Sequence, residues 1–439
     1  MPYTKPRRLV TSAAVVALGA TALTACGSSD DQDDAQSGPV TLTYWSWAPG
    51  MDKVVDLWNK GPGKKNQITV TVKKQASGDT LVTKILTAHK AGKGPDLIQA
   101  EYQALPTLVS NGALADIAKN VSDVRQKFTD GVWQQTTLGT DAVYAIPQDI
   151  GPMMFYYRAD LFRQYGLAVP ATWDEFAQTA RALRQKAPDK TLTTFSANDS
   201  GLFAGLAQQA GARWWTISAD KWKVSIDDAA TQKVAKFWGD LVHEGAIDNQ
   251  PMYTPAWNKA LNTGKQIAWV SAVWAPGTLT TAAPATKGKW AMAPLPQWSK
   301  GEERTGSWGG SSTAVTTDSK HKDAAAKFAA WLNTDAEALN ALARQSGIYP
   351  AATSAQLSGA FQNPPDFFAN HSDFYSKAAD IAETTAPSAW GPNVNVAYTS
   401  FKDAFGAAAQ DKSDFRAALR RMQADTVADM KKQGFEVAP

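Results

Sequence analysis

Trp274 stands two residues before Pro276-Gly277, Trp308 stands before Gly309-Gly310, and Trp390 stands before Gly391-Pro392, so three indole rings fall where the chain must turn. A fourth, Trp45, closes an alternating apolar run that begins at Val40. Flat rings held on loops can pack against the C–H patches of a ligand, each burying about 150–250 Å² with little loss of rotamer freedom. Glu101 and Asp149 each follow an apolar, strand-like stretch, and Gln75 follows Val70–Val72. An ionised carboxylate makes hydrogen bonds about twice as strong as a neutral acceptor does, which suits it to hydroxyl groups. The same carboxylates could equally cap a helix or pair with a lysine. Gly309 and Gly310 would let backbone N–H groups come close to a ligand, or would simply make a turn. Trp58, Trp173, Trp238 and Trp331 fall at apolar spacing on helical stretches and read as core.

Two carboxyls flanking one bond would make a glycoside hydrolase, and Glu101 with Asp149 could in principle do this, although nothing in the sequence singles them out as a pair. His89, His243, His321 and His371 are too scattered for a triad or a His-x-x-x-His zinc site, and no Gly-x-Ser-x-Gly elbow or EF-hand loop occurs. No catalytic residue, metal ligand or cofactor is therefore assigned. The formal charge of +3 comes entirely from Lys5, Arg7 and Arg8, and the rest of the chain is balanced. Basic residues cluster no further than pairs such as Lys64-Lys65 and Lys73-Lys74, which argues against nucleic acid as a partner. A chain with 17 Trp and no excess charge suits an uncharged polar ligand better than an ion, phosphate or peptide.

Residues 1–25 carry a basic start followed by a small, apolar run from Leu9 to Ala25, the pattern of a secretory signal peptide. The run ends Leu23-Thr24-Ala25-Cys26, which resembles the bacterial lipobox and marks Cys26 for lipidation. Arg7-Arg8 partly matches a twin-arginine signal, so export by either that route or the general secretory one stays open. Residues 26–39, rich in Ser, Gly and Asp, read as a flexible tether. No Cys follows residue 26, so the exported part uses no disulfide. The uncharged stretch Gln266–Thr286 holds Pro276, Gly277 and Pro284 and reads as buried strand plus loop, not as a membrane span.

The elements that would position these residues alternate. Val40–Trp47 predicts a strand, Met51–Lys60 a helix, Gln67–Val72 a strand, Thr80–Lys90 a helix and Pro95–Ala100 a buried strand, an order that implies a largely parallel sheet covered by helices. Ligands in such sheets sit outside the carboxyl ends of the strands, here Trp45–Trp47, Glu101-Tyr102 and Gln148-Asp149. Gly139–Pro147 reads as a hairpin into a strand and Met153–Tyr157 as extended chain. Thr172-Trp173-Asp174-Glu175 is a capping box that opens a helix through Lys186, and further helices are expected over 229–243, 323–333, 336–345 and 413–433.

Several segments together resemble the family 1 extracellular solute-binding proteins, the sugar-capturing lipoproteins of bacterial ABC importers related to the maltose-binding protein. These are Lys84–Leu97, Leu108–Asp116, Tyr144–Asp149, Phe155–Phe162, Pro170–Phe176 and Ser307–Ser312, in that order along nearly all of the mature chain. The resemblance implies an α/β, two-lobe periplasmic-binding-protein-like fold (type II) with a hinge of several crossover strands. Lobe one would hold 40–149 and 309–368, and lobe two 150–308 and 369–439. It further implies a monomer, anchored through acylated Cys26 to the outer face of the cytoplasmic membrane, that delivers a carbohydrate, a di- or oligosaccharide, to separate permease subunits. Ligand-binding residues on this reading are Trp45, Gln75, Glu101, Asp149, Trp214, Trp274, Trp308, Gly309, Gly310 and Trp390. Trp214 enters through the resemblance, because relatives often place an aromatic there. A non-sugar solute and a secreted glycoside hydrolase remain the alternatives.

Overall fold

The computed structural model describes residues 38–438 apart from 77, 219–220 and 357. The signal segment 1–25 and Cys26, with most of the tether, lie outside the described residues. Ten strands follow in order: β1 (Val40–Ser46), β2 (Ile68–Lys74), β3 (Leu97–Glu101), β4 (Ala145–Asp149), β5 (Met153–Arg158), β6 (Trp215–Ser218), β7 (Lys221–Val224), β8 (Ala268–Ala272), β9 (Trp290–Pro294) and β10 (Ser311–Val315). The helices of the first half are α1 (Met51–Lys60), α2 (Pro62–Asn66), α3 (Asp79–Lys90), α4 (Leu105–Ser110), α5 (Asp130–Thr137), α6 (Ala159–Gln164), α7 (Trp173–Lys186) and α8 (Ser200–Gln209). Those of the second half are α9 (Ala229–His243), α10 (Pro255–Asn262), α11 (Ala275–Ala282), α12 (Lys322–Thr334), α13 (Ala336–Ser346), α14 (Phe374–Glu383), α15 (Val394–Asp411) and α16 (Phe415–Lys432).

The first sheet has the order β2-β1-β3-β10-β4. β1 pairs parallel with β2 and β3, as the alternation predicts, but β10 enters antiparallel between β3 and β4, so the sheet is mixed. A strand that arrives from a distant part of the chain leaves no trace in the local alternation. Its apolar faces are covered on one side by α1, α12 and α13 and on the other by α3 and α4. Trp58 shows how α1 is held: its ring packs edge-on to Phe328 at 5.4 Å, and its indole N–H donates to the Ile68 carbonyl at 3.1 Å, so burial leaves no polar group unpaired.

The second sheet, β8-β5-β9, is antiparallel throughout, and β6 and β7 form a separate antiparallel pair that packs on α16. The capping box forms as read: Thr172 Oγ1 accepts from the Glu175 N–H at 3.2 Å and the Glu175 carboxylate accepts from the Thr172 N–H at 3.3 Å. Trp173, Phe176 and Trp238 then cluster with ring centroids 5.3–5.7 Å apart. α15 and α16 pack on each other and on α8 and α9, joined by Phe203, Phe401, Phe405 and Phe415.

Two expectations change. Residues 139–144 are turn and loop leading into β4, not a hairpin. Gln266–Thr286 holds β8 and then a helix, α11, because Pro276 sits in its first turn, where the missing N–H costs nothing. Phe367 and Phe368 pack with the second sheet: Phe368 lies edge-on to Tyr156 at 5.7 Å, and the Phe367 carbonyl accepts from the Gly288 N–H.

The chain passes between the two sheets near Ile150–Pro152 and again at Ser307–Gly310, and these passages run side by side. The Trp308 N–H donates to the Gly151 carbonyl at 2.8 Å, and Pro152 bridges antiparallel to Ser307. A Cβ at Gly151 would lie 2.1 Å from the Trp308 carbonyl oxygen, so only glycine permits this approach.

Candidate functional site

A cavity of about 420 Å³ opens between the carboxyl end of the first sheet and the helices α8 and α15. Its first wall is the end of β3 and the turn into α4, with Glu101, Gln103 and Thr107, and the start of α3 with Thr80 and Val82. The second is the N-terminal turn of α8, Asn198–Gly201, and the third is α15 with Asn395, Tyr398 and Lys402. Trp308 and Gly309 from the crossover and Trp390 from the loop before α15 complete it. The lining mixes two large rings with amide, hydroxyl, carboxylate and ammonium groups, the composition of a pocket that orients a polar, partly apolar ligand.

Glu101 ends β3 opposite Ser311 of β10, and its carboxylate accepts from the Gln103 side chain at 3.0 Å. Asp199 is the N-cap of α8, accepting from the Leu202 N–H at 3.0 Å. Burial pushes the Asp199 carboxyl up to about 6, with the Leu202 N–H and then the Lys402 ammonium opposing the rise. Trp308 is 6% exposed and is fixed from behind, since the Trp274 indole N–H donates to its carbonyl at 2.9 Å and the two rings meet edge-on at 4.8 Å. Trp390 is 9% exposed, packs edge-on to Tyr398 at 6.4 Å, and buries its indole N–H without a hydrogen-bond partner in the protein. Such an unpaired donor costs about 1–3 kcal/mol. The Thr107 hydroxyl donates to the Pro392 carbonyl at 3.0 Å and ties the Trp390 loop to α4.

Of the residues expected at the site, Glu101, Trp308, Gly309 and Trp390 line this cavity. Gly310 stands just behind it with φ +94°, where a Cβ would meet the Tyr102 ring at 2.9 Å. Trp274 is the support of Trp308. Asp149 does not line the cavity: its carboxylate accepts from the Ser311 N–H at 2.7 Å and from the Ser311 hydroxyl, locking β4 to β10 where their register shifts. Burial raises its carboxyl to about 6 in spite of those bonds. Because Asp149 serves the sheet, Glu101 and Asp149 do not face one another across the cavity as a hydrolytic pair would. Trp214 is core, 5% exposed with its indole N–H on the Thr231 hydroxyl at 3.0 Å. Trp45 and Gln75 join through Lys84, whose ammonium lies 4.9 Å from the Trp45 ring centroid and donates to Gln75 at 2.5 Å, outside the cavity lining.

Asp199, Asn198, Asn395, Tyr398 and Lys402 were not read from sequence. Asn198-Asp199-Ser200 before an apolar run is an N-cap signal that could have found the first two. α15 starts without a capping side-chain bond, and the apolar spacing of Ala397, Phe401, Ala404 and Phe405 is the local signal that could have found the others. Among the described residues no group of three or more His, Cys, Asp or Glu could hold a metal ion, and no helix is long and apolar enough to cross a membrane.

A family model described as bacterial extracellular solute-binding protein matches residues 53–369. The arabinooligosaccharide-binding protein of Bacillus subtilis is 24% identical over 384 residues, covering 83% of this chain and 86% of that protein. Among solved structures, the galacto-N-biose/lacto-N-biose I-binding protein of the ABC transporter from Bifidobacterium longum, in complex with lacto-N-biose, superposes with a TM-score of 0.81 at 24% identity, over 91% of this chain and 99% of that one. The ABC transporter-associated binding protein from B. animalis subsp. lactis, in complex with β-1,6-galactobiose, gives a TM-score of 0.79 at 24% identity over the same shares.

Proposed function

The chain belongs to the bacterial extracellular solute-binding protein family and has its two-lobe, periplasmic-binding-protein-like α/β fold, and from that premise we propose that it captures a di- or oligosaccharide for an ABC importer. One observation carries the carbohydrate reading: the cavity is walled by Trp308 and Trp390 among amide, hydroxyl and charged groups, and the Trp390 indole N–H has no partner in the protein. A sugar supplies both complements, apolar C–H faces for the rings and hydroxyl oxygens for the donor. Glu101, Gln103, Asn198, Asp199 and Asn395 add polar groups around those rings, and Asp199 and Lys402 bring both signs of charge to the cavity from two of its walls. A volume of about 420 Å³ is within the range of small-molecule sites and has room for more than one ring. The named ligands of the two similar structures, both disaccharides, agree with this size.

On this reading the bodies built on the first and second sheets are lobes that close on the ligand by bending at the paired passages near residues 150–152 and 307–310. The closed form is what separate permease subunits engage. Cleavage before Cys26 and acylation of its thiol hold the chain, as a monomer, to the outer face of the cytoplasmic membrane, with residues 27–39 as tether.

A thermal-unfolding screen against mono- and oligosaccharides tests the proposal. Ligand at 100 times its dissociation constant adds about 2.7 kcal/mol, a shift of several degrees for a chain of this size. A shift confined to one group of glycans names the cargo. A flat response to every sugar, with a shift for an amino acid, peptide or ion, replaces carbohydrate by that solute.

A further inference from the structure

Among the described residues, four that are not glycine have a positive φ: Gln67, Leu138, Tyr253 and Lys412. Three of them are the left-handed C-caps of α2, α5 and α15, and helices commonly end in that conformation. Tyr253 ends no helix. It stands just before Thr254, the N-cap of α10, with φ 62°. A bulky side chain is strained there, and such strain persists only where the surroundings fix the backbone. Burial of the ring would offset the strain, yet Tyr253 is 47% exposed and is the one aromatic among the large apolar side chains exposed in the described residues.

The neighbouring Met252 supplies the fixing. Its N–H donates to the Ser196 hydroxyl at 2.9 Å, its carbonyl accepts from the Asn198 side chain at 3.3 Å, and its sulfur accepts from the Trp269 indole N–H at 3.3 Å. Asn198 lines the cavity, so the backbone that carries Tyr253 is tied directly to the cavity's second wall. The Tyr253 ring packs on Trp257 at 5.4 Å and edge-on to Trp269 at 6.5 Å, and Trp269 in turn meets Trp308, which lines the cavity, at 6.3 Å. Desolvation first, and then the Asp199 carboxylate, push the Tyr253 hydroxyl well above its usual pKa. A ring with much protein around its hydroxyl and nearly half of its surface open is what the side of a cleft presents. Tyr253 lies outside the lining of the 420 Å³ cavity, beside Asn198 and Asp199.

We propose that Tyr253 is a platform for one further sugar ring, next to the cavity that Trp308 and Trp390 wall, and that it sets the length of saccharide the site prefers. Given the carbohydrate reading of that cavity, on which this rests, a disaccharide fills the cavity and leaves Tyr253 uncovered, whereas a trisaccharide covers it. A ring already held open at a fixed angle loses little rotamer freedom on meeting the C–H face of a sugar, so stacking on it adds affinity only for a ligand long enough to reach it.

The test is calorimetric titration of the purified chain with the di- and trisaccharides of the arabino, malto and β-1,6-galacto series. In whichever series binds, the trisaccharide should be held more tightly than the disaccharide, and Tyr253→Asn should weaken the trisaccharide about fivefold or more and the disaccharide less than about twofold. Asparagine tolerates the left-handed φ, so this variant removes the ring and keeps the turn, which chemical denaturation without sugar checks. Tyr253→Phe keeps the platform and should bind both sugars within about twofold of the parent. An equal loss for both sugars in Tyr253→Asn makes Tyr253 a support of its loop, and no loss for either removes it from the site. Both results overturn the proposal and leave the carbohydrate reading standing, as does a parent that holds the disaccharide as tightly as the trisaccharide. A parent that binds no member of any series overturns the proposal together with the oligosaccharide reading of the cavity.

Discussion

Replacing Trp390 with Phe should weaken sugar binding while leaving the unliganded fold nearly as stable as before. The indole N–H is buried and unpaired, so the native state without ligand carries a desolvation penalty of about 1–3 kcal/mol that phenylalanine does not. Phenylalanine also fills less space, and the weaker edge-on packing against Tyr398 acts in the opposite direction. The two terms offset, and the change in unfolding free energy should stay within about 1 kcal/mol. In the complex the donor is gone, and a ligand oxygen that it paired loses one hydrogen bond, about 0.5–1.5 kcal/mol or roughly a 2- to 12-fold rise in Kd.

Trp214→Phe supplies the mirror image. Its indole N–H is satisfied by Thr231, whose hydroxyl also donates to Asp228 at 2.8 Å, so the same change breaks a buried bond far from the ligand. It should cost stability, about 1–3 kcal/mol, and leave Kd alone. Chemical denaturation without ligand and calorimetric titration with the sugar identified by the thermal screen read the two quantities separately. If Trp390→Phe leaves Kd unchanged, or Trp214→Phe shifts it as much, the assignment of the Trp390 donor to the ligand is wrong.

Asp199, whose carboxyl burial raises to about 6 from 3.8, binds its proton more tightly in the folded than in the unfolded chain, so the stability it contributes is complete below about pH 4 and is lost as pH rises through 6. A ligand hydroxyl donating to it favours the ionised form, so affinity measured by calorimetry should improve between about pH 5 and pH 7 in the parent and stay flat in Asp199→Asn; a flat parent profile would remove Asp199 from the site. Gly151→Ala should destabilise by about 1–3 kcal/mol in thermal unfolding, because its Cβ has nowhere to go beside the Trp308 carbonyl, and a neutral result would show that the paired passages can part freely. Cys26→Ser should release the chain from membrane fractions; persistent sedimentation of the processed variant at high salt would refute the lipid anchor.

Local signals carried much of the fold. Met51–Lys60, Trp173–Lys186 and Ala229–His243 were legible to the residue, since amphipathic spacing and a cap are written in consecutive positions. α15 escaped even though Asn393 is a residue type favoured at an N-cap and Ala397, Phe401, Ala404, Phe405 and Ala408 recur at helical spacing and are buried; in the fold the Asn393 amide is taken by Thr426 and Asp429. α11 escaped because Pro276 reads as a breaker when it is a first-turn proline.

Residues near one another in the chain were enough to read the alternation of strands and helices, the core placement of Trp58, Trp173 and Trp238, and the family resemblance. Three-dimensional packing was needed to put β10 antiparallel between β3 and β4, since a register that joins Asp149 to Ser311, 162 positions away, is not set by local preference. Packing likewise chose which candidates meet. Trp308 and Trp390 reach the cavity, Trp274 stands behind one of them, Trp214 is sealed in the core, and Asp149 fastens the sheet, while Asp199 and Lys402 arrive from helices far apart in sequence. A tryptophan beside a glycine reads the same whether its ring faces a ligand or a neighbouring helix, because that choice belongs to whatever the fold brings opposite it.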